Sequence, residues 1–326
     1  MRTLFVILAV LLLGVGYSGP PRLPLYGPHA TLHADPLAPP AGLRVGRLTW
    51  LGGVRLIGDD AAFGGFSAMT TARGRFTLLS DGGNLVGFGL TQDWHVHDAR
   101  FRELPGGPRG GWEKRDRDAE SLTFAPDGRS WAGFESANAI WRYDRGFVHV
   151  EGGVRPRAMR RWPIGGGAEA MVRLRDGRFV LLSEGGSWPG RGGRAGIVFM
   201  GDPVARPNAG FGFTYRPAPG FEPVDAAELP DGNLLVLERE WRLPLRFGTR
   251  LALVANKALR PGARVRGQEV ARFRAPLPNE NYEALAITRE AGVTIVWLAS
   301  DNDQSWWRSS YLLKFRLESP AIRRRR

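Results

Sequence analysis

The chain has 326 residues, a formal net charge of +13 and a sequence pI near 11.0. Cysteine is absent, which excludes disulfides, thiolate metal sites and cysteine nucleophiles together. Lysine occurs only at Lys114, Lys257 and Lys314, so arginine carries nearly all the positive charge, which reflects either attraction to anionic partners or an arginine-biased composition.

In chain order, Met1-Arg2 leads into the apolar run LFVILAVLLLGVG, which has signal-peptide length and is short for a membrane span. Residues 1–19 are therefore expected to be a secretory signal or, since no A-x-A cleavage site follows, an uncleaved N-terminal anchor. Export to the periplasm or the extracellular space is the corresponding expectation. Residues 20–42 are rich in proline, histidine and small residues and read as a linker. The closing arginines, 323–326, follow Pro320 in a basic tail, residues 319–326. Membrane contact is expected only through that tail or the N-terminal segment. Nucleic acid is excluded as a partner, because no helix-turn-helix, finger or RNA-binding signature is present. A monomer is expected.

From residue 43 to 318 the chain is a succession of short β-type runs separated by Gly, Pro and Asp-Gly turns, and no sizeable helix is predicted. One unit recurs: SAMTTARGRFTLLSDGG from Ser67, ESLTFAPDGRSWAGFES from Glu120 and EAMVRLRDGRFVLLSEGG from Glu169. DAAELPDGNLLVLERE follows from Asp225 and EALAITREAGVTIVWLASDN from Glu283. The starts lie 53, 49, 56 and 58 residues apart. This period suits four-stranded blades, so the fold class is all-β, a β-propeller of five visible repeats and five or six blades. The early strands, residues 47–58, have no repeat start before them and are expected to complete the blade that YLLKFRL begins, closing the ring.

Each repeat is a hairpin bracketed by acids. Residues before the first strand and after the second lie at the same end of an antiparallel pair. Glu120 with Glu135, Glu169 with Glu184, Asp225 with Glu238 and Glu283 with Asp301 are thus expected at one mouth of the channel. Ser67 and Asp81 form a variant first pair. Nine carboxylates so placed must share protons, pair with arginine or bind a cation. Carboxylate oxygens suit calcium, so Glu120, Glu169, Asp225, Glu283 and Asp301 are candidate metal ligands. Glu169 and Glu283 are also candidate acid–base residues. The same acids could instead hold the blades together, for example by pairing with Arg239.

Other features are less specific. DWHVHD places His95 and His97 on one strand face, a spacing that serves zinc or an exposed loop. KRDRDAES sets alternating charges before Glu120. It either grips an anionic small-molecule substrate, with Arg115, Arg117 and Arg239 the candidate substrate-binding arginines, or is a solvated loop. Trp306-Trp307 forms either an aromatic wall near Asp301 or blade packing. No G-x-S-x-G elbow exists, so a Ser-His-Asp hydrolase has no support. The glycine-rich GRGGRAG lacks Walker or Rossmann context.

The stretches FGGFSAM, KRDRDAESLTFAPDG, LPDGNLLVLERE and NENYEALAI…LASDND…YLLKFRL, in that order, resemble the bacterial family named for the esterase-like activity of phytase. The resemblance runs from about Leu43 to Leu317. It implies an exported propeller with calcium as cofactor that hydrolyses phosphate esters or other esters. Acids at hairpin starts match at Glu120, Glu169 and Glu283, with Asp225 a conservative variant and Ser67 a departure. The arginine-rich stretch after Glu238 also resembles the family. A non-catalytic envelope-binding propeller and a sugar-lactone hydrolase stand as alternative readings.

Overall fold

The computed structural model describes residues 24–318, apart from 40, 41, 73, 112 and 243–245. The expected signal or anchor segment and the basic tail lie outside the described residues.

Alternating apolar positions and turn residues produce five antiparallel sheets, the blades of a five-bladed propeller. Blade 1 comprises Phe66–Ala72, Arg75–Ser80, Asn84–Leu90 and Val96–Glu103, and blade 2 comprises Ala119–Phe124, Ser130–Phe134, Ala139–Tyr143 and Val150–Val154. Blade 3 runs through Ala168–Arg173, Phe179–Ser183, Arg194–Phe199 and Gly210–Tyr215. In blade 4 the strands are Glu222–Glu228, Leu234–Arg242, Arg246–Val254 and Gln268–Arg272. Blade 5 begins with Asn281–Glu290, Val293–Asp301 and Ser310–Leu317. In every blade the first strand is innermost, and its neighbours around the ring are the first strands of the adjacent blades.

The ring closes as expected. Ser310–Leu317 pairs antiparallel with Leu48–Gly58, so the two ends of the domain share blade 5 and neither leaves a raw edge there. The segment read as a linker contributes more than a tether. Leu32–Pro36 pairs with Leu48–Gly58 from Leu32↔Gly58 to Pro36↔Val54 and forms the outer edge. Its proline suits an edge, where one face of the ladder needs no N–H. Sequence pattern hides this strand because it is short and mostly exposed.

The hairpin turns obey local rules. At Asp176-Gly177 the Leu174 N–H donates to the Arg178 carbonyl at 2.7 Å, and Gly177 N–H donates to the Leu174 carbonyl at 2.9 Å. Gly177 adopts φ +89°, a conformation a Cβ would strain. The Asp176 side chain accepts the Arg178 N–H at 3.0 Å, closing the turn locally.

Five apolar clusters fill the seams between adjacent blades. Trp131 and Phe179, for example, pack edge to face across blades 2 and 3 at 5.0 Å between ring centroids. Each large side chain buried in this way contributes about 1.5–3 kcal/mol. These seams hold the blades, which leaves the channel-lining positions free to carry polar groups.

Candidate functional site: an acidic channel mouth

Every inner hairpin carries a β-bulge one or two positions inside its start. The ladder skips Ser67 in blade 1, Glu120 in blade 2, Glu169 in blade 3, Val224 in blade 4 and Glu283 in blade 5. A bulge leaves its extra residue unpaired and re-aims the side chain. Here three of the five are glutamates. On the second-strand side of each hairpin, the residue just past the partner of the one that precedes the bulge is Asp81, Glu135, Glu184, Arg239 and Asp301 in turn. Two rings of residues therefore meet at one mouth, and blade 4 interrupts both, with a valine in one and an arginine in the other.

The expected set of nine acids is corrected in blade 4. Asp225 sits one residue past the bulge, and its two carboxylate oxygens accept the N–H groups of Ala226 at 2.7 Å and Leu285 at 2.6 Å. It is a staple between blades 4 and 5, apart from the other acids. Glu238 lies fully buried on the opposite face of its strand, bonded to Arg250 and, at 2.5 Å, to the Tyr215 hydroxyl. One position along a strand exchanges the two faces, so the acid and the arginine at 238 and 239 take the reverse of their expected places. The remaining seven acids do converge.

An eighth acid, Asp118, joins them. Lys114–Arg117 forms a one-turn helix whose C-cap, Asp118, takes the left-handed conformation and donates its N–H to the Lys114 carbonyl at 2.8 Å. The cap brings the Asp118 carboxylate to the Ser136 N–H at 2.9 Å. Sequence reading passed over Asp118 because it looked like one more charge in KRDRDAES. Its position just before an inner strand was the available signal.

The acids form two overlapping groups. One oxygen each from Asp118, Glu120 and Glu135 lies within 4.8 Å of the others, and the same holds for Glu135, Glu169 and Glu184. Glu135 belongs to both. Its Oε1 also accepts the Gly167 N–H at 3.2 Å, which ties blade 2 to blade 3. On the other side, Asn281 donates to Glu283 at 2.8 Å, and the Asp301 side chain accepts the Asp303 N–H at 2.6 Å.

Two cations offset this charge. Arg239 donates to Glu283, to Glu184 at 2.5 Å and to Asn281 at 3.1 Å. Lys114 reaches Asp81 at 2.9 Å. Burial opposes both charges, but the surrounding carboxylates outweigh it and hold both basic groups firmly protonated. Two positive charges cannot balance eight negative ones. Burial pushes the carboxyls of Glu120, Glu169, Glu283, Asp301 and Glu135 above the usual range. For Glu120 and Glu169 the neighbouring acids add to the shift, and for Glu283 Arg239 opposes it. Without a bound cation, these groups must share protons.

The candidate substrate arginines part company. Arg239 lies in the acid mouth. Arg115 is exposed and paired with Glu113 at 2.6 Å. Arg117 is buried, and its guanidinium donates to the Leu104 carbonyl at 3.2 Å, away from the mouth. The charged helix brings Lys114 and Asp118 to the acids. His97 is exposed beside Asp98 at 3.1 Å. Trp306 and Trp307 are 91% and 62% exposed, so they are not blade packing. They stand in the loop that leaves Asp301, where Arg308 bonds the Asp301 carbonyl at 2.7 Å.

The family model described as esterase-like activity of phytase matches residues 61–304. Solved structures similar to this chain include an endo-arabinase from Bacteroides thetaiotaomicron, with TM-score 0.49 and 12% identity over 80% of this chain and 96% of that one. A PQQ-bound aldose sugar dehydrogenase from Streptomyces coelicolor scores 0.45 at 12% identity, covering 91% and 99%. A virginiamycin B lyase from Staphylococcus aureus scores 0.43 at 10% identity, covering 89% and 100%. Among curated proteins none matches the sequence.

Proposed function

The chain belongs to the family described as esterase-like activity of phytase, and on that premise we propose that its acidic mouth is the divalent-cation site of an exported hydrolase acting on phosphate esters or other esters. The observation that carries this reading is the pair of carboxylate groups sharing Glu135. An all-oxygen donor set without cysteine or histidine suits a hard cation, and calcium fits its ligand number and flexible geometry. Asp118, Glu120 and Glu135 would hold one cation, and Glu135, Glu169 and Glu184 a second.

When bound, such a cation supplies positive charge that draws electron density from a phosphoryl or carbonyl oxygen. The protein's own groups do the rest. Arg239 fixes Glu184 and Glu283 so that their oxygens do not swing apart under mutual repulsion. Glu169, which a bound cation would hold ionised, would accept a proton from an attacking water and return it to the leaving alkoxide. The water oxygen bonds to phosphorus or carbon as the ester oxygen departs.

Purified protein would be assayed for bound calcium and for hydrolysis of phosphomonoesters, phytate and lactones, with and without chelator. Stoichiometric calcium and chelator-sensitive turnover of a phosphoester are expected. Absence of both would leave a ligand-binding propeller, and turnover of lactones alone would move the substrate class. Glu169→Gln should abolish turnover without lowering the melting temperature.

A further inference from the structure

The opposite end of the channel, where the inner strands reach their hairpin turns, has a different chemistry. It opens into a cavity of about 400 Å3 lined by all five inner strands. Arg173 of blade 3 and Arg289 of blade 5 line it, and among the described residues neither forms an ion pair. Arg173 donates to the Leu174 carbonyl at 3.4 Å and Arg289 to the Gly292 carbonyl at 3.2 Å, and Arg173 also borders a separate cleft beside Asp127 and Gly177. The two acids that share the cavity are already engaged. Glu228 takes the Arg175 N–H at 2.8 Å and its guanidinium at 3.3 Å, and Asp225 takes two backbone N–H groups. Asp127 and Asp176, outside the cavity near Arg173, are held by Arg129 and Arg178.

Two hydroxyls in this cavity are oriented by what lies behind them. Thr123 accepts the Arg173 N–H at 3.0 Å and Thr288 accepts the Trp297 indole N–H at 3.0 Å. Each oxygen receives a donor, which leaves its own O–H to donate elsewhere.

A second cavity of about 480 Å3 adjoins the first and shares Thr71, Thr288 and Arg289 with it. Its wall combines the rings of Phe76, Trp94 and Trp297 with Lys314, which lies over the Trp297 ring at 5.1 Å and is paired with Glu290 at 2.7 Å. Trp94 adopts φ +68°, a strained conformation for a bulky side chain and one that marks functional positions. The backbone makes room for it: a Cβ on Gly52 would meet the Trp94 ring at 2.1 Å. Trp94 stands edge to face with Trp297 at 6.2 Å, so the strained turn adds an indole to the wall of the cleft.

We propose that this turn-end mouth is a second ligand site for an organic oxyanion carrying a ring, with the oxyanion between Arg173 and Arg289 and the ring in the Trp94 cleft. Arginine forks and threonine hydroxyls with an O–H left to donate match an oxyanion, and the two joined cavities are of ordinary ligand-site size. The site is separate from the acidic mouth and uses none of its residues.

The test is calorimetric titration of the full chain in chelator with phenylphosphonate, which has no ester bond to cleave, and with inorganic phosphate. Saturable binding of phenylphosphonate is expected, about tenfold tighter than phosphate, a 1.4 kcal/mol difference. Arg173→Gln and Arg289→Gln should each weaken both ligands about tenfold or more. Trp94→Ala should remove only the advantage of phenylphosphonate. Circular dichroism would confirm that each variant folds. No saturable binding below about 10 mM, equal to about 3 kcal/mol, or binding unchanged in Arg173→Gln and Arg289→Gln, overturns the proposal. Loss in Glu169→Gln with retention in the arginine variants would also overturn it, by placing the ligand at the acidic mouth. Because chelator is present and the ligand is not a substrate, failure here leaves the hydrolase reading to its own assay.

Discussion

Arg239 occupies in blade 4 the position that Glu184 occupies in blade 3, and its guanidinium bonds that glutamate at 2.5 Å. One blade thus supplies the counter-charge for the acids of its neighbours on both sides, since Arg239 also holds Glu283 of blade 5. Removing it should matter most when no cation is bound. Arg239→Met is expected to lower metal-free stability by about 3 kcal/mol, the cost of leaving buried charge unpaired. Calcium should restore much of the loss. Chemical denaturation in chelator and in calcium checks this, and an equal loss under both conditions would deny Arg239 its role as counter-charge.

The raised carboxyls of Glu120, Glu169, Glu283 and Asp301 make stability depend on pH. Above the ordinary glutamate value of 4.5, the folded protein retains protons that the unfolded chain has released. Stability therefore falls as pH rises through that window. In chelator the melting temperature should decline from pH 5 to pH 8, flattening once these groups ionise or the structure yields. Calcium at about a hundred times its Kd should add about 2.7 kcal/mol and reverse the trend, because binding displaces protons. A melting temperature that rises with pH in chelator would contradict the buried, proton-sharing state.

Glu135 belongs to both carboxylate groups, whereas Glu120 and Glu184 each belong to one. Glu135→Gln should weaken all calcium binding about tenfold or more, and Glu184→Gln only part of it. Titration with terbium, read by its luminescence, distinguishes two affected sites from one. Identical effects of the two variants would argue against a shared ligand.

Glu238 should behave as a structural acid. It is fully buried between Arg250 and the Tyr215 hydroxyl. Glu238→Gln is expected to cost about 3–5 kcal/mol, because Arg250 is left without its inner partner. Calcium affinity of the folded variant should be unchanged. Reduced affinity at full folding would return Glu238 to the cation site.

Much of this molecule can be read from its sequence because the relevant physics is local. Alternating apolar runs, Asp-Gly turns such as Asp176-Gly177 and a recurring hairpin specify the blades and put acids at one end of them. The early strand without a repeat start reveals the ring closure, since an unpaired edge must find a partner. Other features depend on contacts between distant segments. Leu32–Pro36 is a strand only because Leu48–Gly58 offers it an edge.

The membership of the acid ring was decided by tertiary structure. Sequence alignment of the repeats pairs Asp225 with Glu169 and Glu238 with Glu184, which is sound by residue type. The bulge, however, falls on Val224, and with a side-chain period of two, a shift of one residue sends Asp225 to a blade seam, buries Glu238 and turns Arg239 to the mouth. Asp118 and Lys114 enter through a one-turn helix that no periodicity announces. The sequence by itself determined that acids would crowd one mouth. Where each strand bulges against its neighbours in the closed ring determined which acids those are, and that register is a property of packing between blades.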